Sequence, residues 1–273
     1  AAQNVYVASN TNLNLTASNA GNNFVVASNQ NLSSSGAITG NTVVLGAVAN
    51  GGVLTLAAPV TATTSIGLVA DGDIVDGSFT VLNAPTLALV SLNGNIGVNG
   101  NALDINSTKT PTLVNLALDA DNGLVNVTST LTSTINLADV SFPALGIPTA
   151  TNQSGNDYLF NAVGSVNVNS TGIDSGNLIF IGSTNGDITT NAQVDAALGI
   201  FIAGKNVTTN ALVNASSSII LAATAGALTI NGTISSTSGT VNASGTGTVT
   251  TNGAVSGSTV SLTSSTADLQ IHS

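Results

Sequence analysis

The sequence predicts an all-β chain wound into a parallel β-helix, a β-solenoid of about thirteen rungs of roughly 20 residues each. Three observations carry this. The segment 176–256 repeats itself: GNLIFIGSTNGDITTNAQVDA is followed by ALGIFIAGKNVTTNALVNA, SSSIILAATAGALTINGTIS and STSGTVNASGTGTVTTNGAVS. Within those four rungs the columns stay in register. Ile188, Val207, Leu228 and Val249 are each followed three residues later by Asn191, Asn210, Asn231 and Asn252, at steps of 19, 21 and 21 residues. The third observation is composition. Glu, Arg and Met are absent and Lys occurs twice, so these helix formers are nearly gone. β-Branched residues and turn formers take their place.

A rung of this length can form three short strands, yet alone it cannot bury their inward side chains. Stacked on a copy of itself, each strand pairs in parallel with the strand above at about 4.8 Å. Equivalent residues then lie directly over one another. An amide carries both donor and acceptor, so a file of Asn residues is expected to bond up the stack as a ladder. The predicted ladder is Asn169, Asn191, Asn210, Asn231 and Asn252. Asn also tolerates the left-handed backbone of a tight corner, and Gly232 and Gly253 suit the same corner.

In chain order, the first rung uses Val5, Val7, Leu13 and Leu15, and the second Phe24, Val26, Leu32 and Ile38. Residues 41–63 continue with Val43, Leu45, Leu54, Leu56 and Val60, and 64–84 with Ile66, Leu68 and Ile74. Leu87, Leu89, Ile96, Leu103 and Ile105 serve 85–108; Val114, Leu116, Val125 and Val127 serve 109–130. The period slips over 131–156, counted as a rung of its own. Phe142-Pro143, Ile147-Pro148 and a polar TATNQSGN predict a loop insertion at about 139–156, because proline cannot donate to a ladder. Tyr158-Leu159-Phe160 restores the register. The final rung, 257–273, offers Val260, Leu262, Leu269 and Ile271 and sets His272 where Asn stood. The whole chain, 1–273, reads as one domain.

Repeats such as SSSIILAATAGALTINGTIS and GDIVDGSFTVLNAPTLALVSLNGNIGVNG resemble those of filamentous haemagglutinin-type exoproteins, the two-partner-secreted adhesins, and of autotransporter passengers. The resemblance implies a right-handed helix and a role at a cell surface. The family's secretion domain carries Asn-Pro motifs near its amino terminus, and this chain has no Asn-Pro pair. It therefore reads as a repeat segment or as a divergent relative exported by another route.

Charge and chemistry narrow the function. The formal net charge is −10, from twelve Asp against Lys109 and Lys205, which argues against nucleic acid. Zero Cys removes disulfides and thiolate metal sites and suits an extracellular, secreted chain. Zero Met, with the chain opening at Ala1-Ala2-Gln3, leads us to expect a processed chain. No apolar run is long enough for a membrane span. Asp71, Asp73 and Asp76 form the densest acidic spot and are the candidate calcium ligands, set against the reading of Asp-Gly as an ordinary turn pair. Asp119, Asp121 and Asn122 are a weaker version of it. No other cofactor is expected. Lyase chemistry on a β-helix would need a cationic base, and glycosidase chemistry a defined pair of acids; neither stands out, so no enzyme is expected. His272 and both lysines read as structural or solvated turn residues.

The chain shows no capping segment at either end, where Val5, Val7, Val260, Leu262, Leu269 and Ile271 form apolar edges. The function expected is a structural and adhesive surface rod whose copies stack head to tail into an extracellular filament. The alternative is a β-helix passenger that binds host or neighbour-cell glycans or a receptor through the 139–156 loop. A polysaccharide-active enzyme is a distant third.

Overall fold

The computed structural model describes residues 3–77, 81–98, 100–105, 113–142 and 147–272. They form an all-β parallel solenoid of about 12 turns with no helix. Each turn visits three faces in the same order. In the most regular part a turn runs Val213–Ala215, Ser218–Ala223 and Leu228–Ile230. The next repeats it as Ile234–Ser236, Thr240–Gly245 and Val249–Thr251. The strands of the turns pair in parallel with their counterparts one turn away, as in Val213↔Ile234, Ile219↔Val241 and Leu228↔Val249.

The three-residue strands read buried, half-buried, buried, which is the pleat seen over its shortest useful length. Their two inward residues feed one continuous core from Leu15 to Val249. Val166, Ile188, Val207, Leu228 and Val249 make one inward file along the third face, all fully buried. Burying each such side chain stabilises the fold by about 1.5–3 kcal/mol, gained only when the next turn covers it. Cooperativity between turns follows from that dependence.

Two turns are longer than the rest, and one of them corrects the count of thirteen. From Val125 to its partner Tyr158 the chain makes one turn, not two. Thr134–Leu137 lies on the third face of one turn and Asn152–Ser154 on the first face of the next. Between them stands an antiparallel hairpin, Val140–Phe142 with Ile147–Ala150. The expected loop insertion is thus real but shorter than 139–156, and it contains strands. Pro148 is tolerated in the second of them because a two-stranded hairpin is all edge. The hairpin lies on the outer side of the first face, where Val140, Phe142 and Ala150 pack on Ala88, Val90 and Ala117 with Val69 alongside. The other long turn has only Ile96 as its bridge between Ile74 and Val125, then makes a tight detour closed by Val98 and Asn101.

Candidate functional site

The repeated polar residues are best understood as rung-to-rung connections. The five asparagines singled out from the sequence stand in one file. Asn191 Nδ2 donates to Asn169 Oδ1 at 3.0 Å, and Asn210 to Asn191 at 2.8 Å. Asn231 donates to Asn210 at 2.8 Å and Asn252 to Asn231 at 2.7 Å. The file continues to His272, which is exposed and donates its backbone N–H to the Thr251 carbonyl at 2.9 Å. Four of the five asparagines are exposed. Their corner is not left-handed: among the described residues positive φ occurs at Asn50, Ser170 and four glycines, none in this file. Gly232 and Gly253 are needed for a different reason from the one expected. A Cβ on either would sit 2.1 Å from a backbone oxygen of the turn below.

Asp71, Asp73 and Asp76 do not gather around a cation site. Among the described residues no group of three or more His, Cys, Asp or Glu is placed to hold a metal ion. The oxygens of Asp71 and Asp73 serve the stack. Asp71 Oδ2 accepts from Gly51 N–H at 2.6 Å and its Oδ1 from Asn93 Nδ2 at 2.7 Å. These bonds, the Gly51 one foremost, hold its carboxyl below the usual carboxylate range. Asp73 Oδ1 accepts from both the backbone N–H and the amide of Asn95, at 2.7 and 2.9 Å. Asn95 Oδ1 in turn accepts from Leu124 N–H. The same device recurs from Asn12 to Asn31 to Val53, and from Asp187 to Asn206 to Ala227. A side-chain oxygen receives an N–H that the short strand leaves unpaired. Asp and Asn are equivalent for that purpose.

Asp119 and Asp121 meet at the foot of the hairpin. Asp119 is buried and accepts from Thr151 N–H at 3.0 Å, while Gln153 Nε2 bridges Asp119 at 2.8 Å and Asp121 at 2.6 Å. The Asp121 residue as a whole is exposed, but its carboxyl loses hydration against this group and lies beside the Asp119 charge. Both effects push its pKa up, in that order. Next to the pair, a shallow polar cleft of about 340 Å³ opens between Gln153, Gly172, Asp174 and Asp195. Beneath the hairpin's return, buried Asn152 accepts the Tyr158 hydroxyl at 3.0 Å and the Leu118 N–H at 3.2 Å. Burial pushes the Tyr158 phenol up, so it stays protonated and donating. Lys205 is exposed in its turn, and Lys109 lies outside the described residues.

The apolar edge residues occupy the two ends of the core. Val260, Leu269 and Ile271 point inward by register, over Val241, Val249 and Thr251, yet are 40%, 45% and 65% exposed. Val260 and Ile271, with Val255 and Leu262, line an open apolar depression of about 450 Å³. At the other end Val5 and Val7 pair with Phe24 and Val26, and Val7 is 43% exposed.

This is a β-helix repeat protein. Family models, curated proteins and solved structures were all compared with the chain, and none matches. The identification therefore rests on the turns themselves. Among the described residues no helix is long and apolar enough to cross a membrane.

Several connections escaped the sequence reading. Asn115, Asn136 and Asn167 form a second amide ladder, at 3.1 Å per step, on the third face. Its spacings of 21 and 31 residues straddle the hairpin, which hides the period. Asn29 donates to Asn10 at 2.7 Å, a pair visible only by aligning the first two rungs. Phe180 and Phe201 stack with ring centroids 5.0 Å apart and planes 1° from parallel. That pair was legible in Ile179-Phe180-Ile181 and Ile200-Phe201-Ile202.

Proposed function

We propose that the chain is the rod of a secreted structural and adhesive surface protein, whose copies join end to end into an extracellular filament. The observation that carries this reading is the continuous core, in which each turn's apolar side chains are covered only by the turns above and below it. Val260, Leu269 and Ile271 lie where a further turn would bury them, and Val7 where a preceding turn would. Parallel strand pairing across the joint would continue both the backbone ladder and the core. The Asn252–His272 file would continue with them. The likeness to filamentous haemagglutinin-type repeats supports the adhesive part of the reading and the extracellular location. In this role the chain is not an enzyme and carries no cofactor.

Replacing Val260 and Ile271 by Asp puts charge where the joint must be dry. Electron microscopy of the purified chain at high concentration is expected to show filaments for the parent and separate short rods for the double variant. Parent particles that remain monodisperse rods would refute the end-to-end reading. Filaments unchanged in the variant would place the joint elsewhere.

A second reading is favoured by the hairpin and the polar cleft at its foot. A β-helix passenger would hold a host or neighbour-cell glycan there, through Gln153, Asp174 and Asp195. Deleting 140–150 would abolish adhesion under this reading and leave it unchanged under the first.

A further inference from the structure

Along the outer side of the second face, one file of side chains reads Asn126, Leu159, Phe180, Phe201, Ile220, Asn242 over six successive turns. The order is polar, aliphatic, aromatic, aromatic, aliphatic, polar, and it is the same in both directions. The flanking files share the centre of that symmetry. Leu178 on one turn lies beside Gly199 on the next, and Gly182 beside Ala203. Leu178 is 39% exposed, while over Gly199 lies a shallow apolar depression of about 280 Å³. None of these residues is charged, in a chain of net charge −10.

We infer that this strip is a self-complementary contact for a second copy of the chain, lying antiparallel and face to face. The two-fold axis runs along the strands, midway between the turns of Phe180 and Phe201. That operation sets Phe180 opposite the partner's Phe201 and Leu159 opposite the partner's Ile220. It also sets Leu178 opposite the depression over the partner's Gly199, a knob facing a notch. An isologous contact requires such a pattern, in which each residue's partner finds its own partner by the same rotation. A glycan is the poorer occupant. The two rings are stacked on each other at 1°, between Leu159 and Ile220, so they present edges and no free ring face outward.

Size sets the strength. Four turns at about 4.8 Å, five residues wide at about 3.3 Å each, cover on the order of 300 Å² per copy, with polar Asn161 and charged Asp157 at the margin. A standard interface covers about 800 Å² per partner. One contact is therefore weak, and it gains force where many copies are held along a common axis. The inference stands on the strip alone and does not require the end-to-end joint.

Because the chain has no cysteine, single introduced thiols report the pairing directly. Leu159→Cys and Ile220→Cys chains, one carrying a mass tag, are mixed under mild oxidation and heterodisulfide formation is timed. The expected initial rate is about tenfold above that of either variant alone and above Leu159→Cys mixed with a Thr208→Cys control on the third face, reflecting raised effective concentration. Phe180→Ser added to both partners, with the β circular dichroism unchanged, brings the rate down to control. A mixed rate equal to control overturns the inference, as does faster self-coupling of Leu159→Cys, which would mean a different symmetry. Shifts of the Phe180 and Phe201 ring signals with a neutral cello-oligosaccharide, at control-level coupling, would overturn it in favour of a glycan.

Discussion

Asn231 shows what a ladder residue does in this chain. It donates to Asn210 below and accepts from Asn252 above, both at under 2.9 Å, yet it is exposed. Water can replace either partner, so Asn231→Leu should cost about 1 kcal/mol, near the ordinary net value of a hydrogen bond. Thermal unfolding measures it, and an unchanged Tm would remove the ladder from the stability of the rod. Thr209 is the opposite case. It is fully buried on the third face, and its hydroxyl has no hydrogen-bond partner. Thr209→Val keeps the shape and removes an unpaired polar atom, so it should stabilise by about 1 kcal/mol. A lower Tm in the variant would show that the hydroxyl is satisfied. Asp121 adds a pH dependence. Its folded pKa is raised above the ordinary 3.8, so its protonated form is the one the fold favours. That contribution is present at low pH and is lost as pH rises through the folded value. Asp121→Asn should therefore raise Tm relative to the parent at about pH 7, with the gain fading towards about pH 3. A gain independent of pH would contradict the assignment. Asp71 has the opposite sign, its contribution being lost on acidification.

The elements differ in how plainly the sequence announces them. From Ile188 to Val255 the three-residue strands were legible because apolar positions recur at fixed offsets and each strand has an identical neighbour above and below. The same logic located the Asn ladder to the residue. It failed at the hairpin. Residues 131–156 have the length of a rung and the composition of one, and nothing local tells an excursion from a turn. Only the pairing of Val125 with Tyr158 shows that no turn is completed there. At Asp71 and Asp73 the spacing alone did not disclose a second use: both carboxylates accept N–H groups of neighbouring turns, Asp71 from the turn before and Asp73 from the turn after. The aromatic stack was written in the sequence, but its outward direction depends on which residue of the triplet faces the core. The hairpin itself makes a prediction. It is held to the stack by Phe142, Val140 and Ala150, a cluster separate from the main core. Phe142→Ala should cost the hairpin about 3 kcal/mol of local stability and leave the solenoid folded. Limited proteolysis should then cut between 139 and 151 while the rest stays resistant. Loss of all β signal would mean that the hairpin and the stack fold as one unit.

The whole molecule is one mode of contact repeated over about 12 turns. Each turn buries its neighbour's apolar side chains and receives its neighbour's polar ones. At about 4.8 Å per turn the solenoid is about 58 Å long, before any joint. The open depression bounded by Val260, Leu262 and Ile271 is where the next turn would sit, whichever copy supplies it. Diffraction or high-resolution imaging of assembled material tests this most directly. Filaments are predicted to show an unbroken axial spacing of about 4.8 Å, the solenoid running through every joint. Filaments with a gap in that spacing at each subunit, or rods that stay single at high concentration, would contradict it.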